Sequence, residues 1–173
     1  MAQQSSDQPA DPIANLRGHL SEQKHHGMVE RCRDGGRCHL VLDLASVCIS
    51  CDATYLLAGH RGKRPDFFVA ASRPTDDRFC WAIIEMKSGG MDIPDLQAQL
   101  QGGADCLEQS DLPTPKSCDV LPLVLRGRGG VRVSDRLRFD RYKVTYRGVK
   151  RTILIEHCGT TISATFRHGE GST

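Results

Sequence analysis

Three charged side chains near the middle of the chain have the types and spacing for metal-assisted hydrolysis. Asp66 opens the apolar run Asp66-Phe67-Phe68-Val69-Ala70. Glu85 and Lys87 close a second run, Phe79-Cys80-Trp81-Ala82-Ile83-Ile84-Glu85-Met86-Lys87, which Ser88-Gly89-Gly90 terminates. Pro74 and Thr75-Asp76-Asp77 lie between the runs and signal a turn, so the pair reads as a β-hairpin. Residues two apart in a strand share a face, so Glu85 and Lys87 point one way and Met86 the other. Antiparallel pairing brings the start of the first strand beside the end of the second. Asp66 is therefore expected near Glu85 and Lys87: two carboxylates and one amine on one sheet face.

Carboxylate oxygens at strand ends are hard ligands suited to Mg²⁺ or Mn²⁺. Mg²⁺ keeps several waters, so Asp66, Glu85 and the Met86 carbonyl suffice as protein donors. Such an ion lowers the pKa of a bound water and stabilises charge on a phosphoryl oxygen. Lys87, one strand repeat from Glu85, can orient the attacking water or offset developing negative charge. These parts together serve in-line hydrolysis of a phosphodiester. The competing reading is a surface hairpin with an exposed ion pair of little energetic worth. It leaves unexplained why charges interrupt the end of an otherwise apolar strand, where they are costly.

The elements that must position these groups follow from apolar spacing. Ile13, Leu16 and Leu20 recur at three and four, and Met28 and Val29 extend the pattern, so a helix is expected from Ile13 to Cys32 with Asp11-Pro12 at its start. Cys38 to Leu44 and Val47 to Asp52 read as short strands. After the hairpin, Asp92 and Pro94 start a helix whose stripe is Leu96, Leu100, Ala104 and Leu107. Gly102-Gly103 inside it costs about 1 kcal/mol per Gly against Ala, which suggests close packing on the sheet. Residues 119–125 are an apolar run of strand length that returns as a β-α-β crossover. Tyr142 to Tyr146, Arg147-Gly148 and Val149 to Ile155 read as a second hairpin with one wet, basic face.

Pro65-Asp66, eighteen intervening residues and Glu85-Met86-Lys87 resemble the PD-(D/E)XK nuclease superfamily. The order helix, strand, strand with Asp, strand with E-x-K, helix, strand resembles its α-β-β-β-α-β core as well. Gln99-Leu100-Gln101-Gly102-Gly103-Ala104 and Cys158-Gly159 are similar to small, stand-alone prokaryotic members. The resemblance implies an α/β (α+β) fold with a restriction-endonuclease-like core: a mixed central sheet flanked by helices, here with an added C-terminal β-hairpin. It implies a Mg²⁺- or Mn²⁺-dependent nuclease acting on DNA, with Asp66 and Glu85 binding metal together with the Met86 carbonyl, and Lys87 positioning the nucleophile. Some branches add a Glu from the first helix, for which Glu30 or Glu22 is the candidate. Some add a Gln from the helix after E-x-K, for which Gln99 or Gln101 is the candidate. The RecB-type Gln-x-x-x-Tyr is absent. The alternative implied is a catalytically inactive module of that fold, binding nucleic acid or a protein partner.

Composition sets the frame. A chain of 173 residues is one domain with room for a real core. The expected organisation is a disordered tail over 1–12, the nuclease-like core over 13–125, a basic hairpin extension over 126–166 and a tail over 167–173. Residues 1–120 hold 12 Lys+Arg against 17 Asp+Glu, and residues 121–173 hold 11 against 4. A basic C-terminal third suits a polyanion. Arg61, Lys63 and Arg64, then Arg126, Arg128, Arg138 and Lys143, are the candidates for holding a nucleic-acid backbone. Tyr142 and Tyr146 are candidates for base stacking. A homodimer or a targeting partner is also expected of so small a nuclease.

No apolar run is long enough for a membrane span, and the polar N-terminus lacks a signal h-region. A cytoplasmic location with reduced thiols is therefore expected of the eight cysteines. Cys32, Cys38, Cys48 and Cys51 form the one cluster with zinc-like proximity. Its context lacks a Gly-rich knuckle, so buried thiols are expected there instead. Asp52 is a possible third acid, and His19 and His26 share a helix face.

Overall fold

Asp11 caps the first helix through its Oδ1, which accepts from the Ile13 N–H at 2.9 Å. Pro12 needs no donor partner in the first turn. The resulting helix, α1 (Pro12–Glu22), buries Ile13, Leu16 and Leu20. In this computed structural model, which describes residues 11–23, 27–35, 38–51, 62–127 and 131–169, α1 stops at Glu22 instead of running to Cys32. Met28 and Val29 form β1 (Met28–Val29), and Cys32 opens β2 (Cys32–Asp34). The reason lies at Gly27. Its carbonyl accepts from the Ser50 N–H at 2.8 Å, and glycine is a poor helix former. The backbone there is spent on sheet pairing.

The chain continues through β3 (Cys38–Leu40), β4 (Ser46–Ser50), β5 (Phe67–Ser72), β6 (Phe79–Lys87), α2 (Ile93–Gln109) and β7 (Asp119–Arg126). Then come α3 (Val133–Phe139), β8 (Lys143–Tyr146), β9 (Val149–Thr152), β10 (Leu154–His157) and α4 (Ile162–Gly169). Six strands make one mixed sheet in the order β1-β4-β5-β6-β7-β10. β1 to β6 pair antiparallel, while β7 runs parallel to β6 and β10 parallel to β7. Among the described residues, the architecture is mixed α/β with four helices against a mixed central sheet.

The sheet has two buried faces. Phe68, Ala70, Trp81, Ile83 and Val124 face α1 and α2 in one cluster. Val69, Ala82, Ile84, Met86 and Leu123 pack with Cys32, Leu40 and Phe166 in the other. Burial on both sides explains why β5, β6 and β7 read as continuous apolar runs. Gly103 lets α2 approach the sheet. A Cβ there would lie 2.7 Å from Ile83 Cγ2 and 2.8 Å from Pro65 Cγ. The close packing expected of the Gly pair is thus seen at Gly103.

Three expectations change. Cys38 to Leu44 supplies only β3, which pairs with β2 and stays outside the main sheet. Val149 to Ile155 is two strands: β9 pairs with β8, but after the buried Ile153 the chain crosses to β7 as β10. Helices α3 and α4 occupy stretches expected as basic extension and tail. Pro12, assigned both to the tail over 1–12 and to the helix start, lies in α1 with Asp11 as its cap. Among the described residues, no helix is long and apolar enough to cross a membrane.

Candidate active site

Asp66 precedes β5, and its backbone is fixed on both sides. Its N–H donates to the Ile84 carbonyl, and its carbonyl accepts from the Cys51 N–H, each at 2.9 Å. The pairing of Phe67 with Ile84 puts Asp66 next to Glu85, as the hairpin reading expects. Asp66 Oδ2 accepts from the Met86 N–H at 2.7 Å. Lys87 gives its carbonyl to the Gly127 N–H on the β7 side. Strand alternation then turns the Met86 carbonyl toward the β5 side, where Asp66 lies.

Glu85 is 2 % exposed. Its Oε1 lies 2.6 Å from Lys87 Nζ, while its buried Oε2 has no partner among the described residues. Burial pushes the Glu85 carboxyl up to about 7. The charge on Asp66 pushes the same way, and Lys87 and a hydrogen bond from Gln99 oppose it. Gln99, half-buried on α2, therefore reaches the site, and its own Oε1 is buried without a partner among the described residues. An orphaned carboxylate oxygen and an orphaned amide oxygen beside a second carboxylate form a set of hard oxygen donors. That set fits a divalent cation of the Mg²⁺ or Mn²⁺ type.

Of the two Gln alternatives, only Gln99 is at the site. Gln101 instead pairs with the edge of β8: its Nε2 donates to the Thr145 carbonyl at 2.9 Å and its Oε1 accepts from the Thr145 N–H at 2.8 Å. Gln97 donates to the Lys143 carbonyl at 2.7 Å. Both long side chains replace a missing strand neighbour.

Glu30 does not join the site. It follows β1, exposed, and β1 runs away from the Asp66 end because Met28 pairs with Ile49 and Val29 with Cys48. Glu22 is exposed at the end of α1. Asp52, His26, Arg61 and Arg128 lie outside the described residues. Of the basic candidates, Arg64 and Arg138 are exposed, and Lys63 is exposed and ion-paired with Asp95 in the first turn of α2. Lys143 bonds Thr152 across the hairpin. Arg126 is half-buried and ion-paired with Asp135, which anchors α3. Tyr146 is a correction, since it is buried in the core and unavailable to bases.

Cys32, Cys48 and Cys51 are buried thiols, as expected, and one pair of cysteines differs. Cys38 is disulfide-bonded to Cys158, with Cα atoms 5.1 Å apart, which removes Cys38 from any zinc set. The Cys32 thiol is pushed far up by its hydrogen bond with Cys48, by burial and by nearby Asp66. Among the described residues, no group of three or more His, Cys, Asp or Glu is arranged to hold a metal; the donors at Glu85 are two carboxylates completed by amide oxygens.

No family model, curated protein or solved structure matches the chain.

Proposed function

We propose that this protein is a metal-dependent nuclease that hydrolyses phosphodiester bonds in DNA. The observation that carries the reading is Glu85: a buried carboxylate with one orphaned oxygen, flanked by Asp66, Lys87 and Gln99. A fold without a binding task has no reason to keep an unsatisfied acid in its interior. The order α1, β4, β5, β6, α2, β7 supports a restriction-endonuclease-like core, with the acid before β5, E-x-K at the end of β6 and the Gln on α2.

Asp66, Glu85, the Met86 carbonyl and the Gln99 amide oxygen would hold Mg²⁺ or Mn²⁺. The ion would supply Lewis-acid stabilisation of a phosphoryl oxygen and a water acidic enough to attack at neutral pH. The chain's own groups do the rest. The Met86 N–H fixes the Asp66 carboxylate, so its orientation costs little on binding. Lys87 neutralises Glu85 and offers an ammonium to a developing negative charge on the phosphate. Exposed Lys63 and Arg64, just before Asp66, are suited to contact the backbone of the nucleic acid.

Incubation of the purified chain with duplex and single-stranded DNA and RNA, with and without Mg²⁺ or Mn²⁺, tests the reading. Cleavage should require the ion. Asp66→Ala and Glu85→Ala should each lower it by at least about a hundred-fold, the scale for losing one electrostatic catalytic group. Cleavage that survives both changes removes the assignment. Mn²⁺ binding that depends on Glu85 without any cleavage favours the inactive, nucleic-acid-binding module.

A further inference from the structure

At the end of the sheet opposite the carboxylates, β7 runs past the start of its neighbour β10. β10 starts with Leu154 opposite Leu123, so residues 119–122 of β7 run past it. The gap, bounded by residues of α3, α4 and the β9–β10 corner, is a cavity of about 730 Å³, a size typical of small-molecule sites. Cys80 lines it, five residues before Glu85 on β6. At about 3.3 Å per residue the two places are on the order of 17 Å apart.

Five permanent cations line this cavity: Arg73, Arg78, Arg136, Lys150 and Arg151. Three carboxylates oppose them: Asp119, Asp140 and Glu156. Two of those carboxylates orient the cations. Asp119 takes a bidentate grip from Arg151 at 2.8 and 2.9 Å and lies 3.7 Å from Arg73. Glu156, 4 % exposed, holds His168 Nδ1 at 2.8 Å and lies 3.6 Å from Arg136. With Nδ1 engaged, the His168 ring has Nε2 left for a ligand. Leu121, Ile155 and Phe166 supply apolar lining. Arg151, Arg136 and His168, held by half-buried Asp119 and buried Glu156 beside an apolar wall, suit a ligand with a phosphate at one end and an apolar body at the other.

We propose that this cavity binds a nucleotide, its phosphate against Arg136, Lys150 and His168 and its base against the apolar lining. A free nucleoside monophosphate and the terminal nucleotide of a strand share this chemistry. The proposal stands independently of the nuclease reading, because none of the carboxylate site is used.

Calorimetric titration of the full chain with adenosine monophosphate, with a 5′-phosphorylated tetranucleotide and with inorganic phosphate tests it. One of the two nucleotide probes should bind more tightly than inorganic phosphate; which one does so identifies the source. The double variant Arg136→Gln/Lys150→Gln should weaken that binding by about a hundred-fold, on the order of ten-fold per charge-assisted contact. Exposed Lys116→Gln, outside both the cavity and the carboxylate site, should bind as the parent does. Should the double variant lose its far-UV circular dichroism, exposed Lys150→Gln alone carries the test, with about a ten-fold loss expected. No binding, binding indifferent to these substitutions, or nucleotide binding no tighter than that of inorganic phosphate would each overturn the proposal.

Discussion

A carboxylate as enclosed as Glu85 resists ionisation, and its raised pKa is a statement about stability. Its ordinary value is 4.5, and burial in the fold raises it to about 7. Between those values the folded chain holds a proton that the unfolded chain has released. Metal-free protein should therefore lose stability as pH rises from about 4.5 to about 7 and change no further above that, by at most about 3 kcal/mol. Urea titrations in a chelator across this range should show the slope, and Glu85→Gln should flatten it. A parent protein already flat there contradicts the burial argument. The same scale shows what one residue's type can and cannot reveal. Asp66, Glu85 and Lys87 were legible because a two-residue period places them without further knowledge. Gln99 and Gln101 were not separable: both lie on one helix, and only the positions of β6 and β8 decide which faces the carboxylates.

At the scale of elements, two glycines in helices look alike in the sequence and differ in the fold. Among the described residues, nothing lies within 4 Å of a would-be Cβ at Gly18, whereas Gly103 is pressed against Ile83, Pro65 and Phe68. Gly18→Ala should stabilise the protein by up to about 1 kcal/mol through helix propensity. Gly103→Ala gains the same propensity yet should destabilise by about 1–3 kcal/mol, because the methyl overpacks the α2–sheet contact. Equilibrium unfolding of the two variants gives the comparison directly; a stabilised Gly103→Ala would mean that α2 can move off the sheet. Apolar spacing found α2, β5, β6 and β7, whose periodicity and caps agree with their neighbours. It overran α1, because Met28 and Val29 continue a helical stripe while their backbone pairs with β4. It missed α3 because the exposed Val133 and Leu137 leave that helix without a full apolar stripe.

At the scale of the whole molecule, the Cys38–Cys158 bond ties the β2–β3 hairpin to the end of β10 across a separation of 120 residues. Backbone bonds run beside it: Val41 and Thr160, Gly159 and His39, and Ile162 and Val41 are each linked by an N–H to a carbonyl. Closing a loop of that length stabilises by about 5 kcal/mol in the chain-entropy model. Cys38→Ser/Cys158→Ser should lower the melting temperature, and reductant should lower the parent's to match. A parent indifferent to reductant would show that the bond does not form in solution. The sheet thus has a carboxylate end and a cation-lined end, and only the first was visible beforehand. The sequence alone determined the Asp66–Glu85–Lys87 hairpin, the α2 crossover and the basic bias of the C-terminal third, because each rests on neighbours within about thirty residues and on the fixed periods of strand and helix. Tertiary structure decided the Cys38 partner, the choice of Gln99, the crossing of β10 to β7 and the cavity lined by Arg73, Arg136 and Arg151. Those depend on which distant segments share space, and local periodicity carries no record of that.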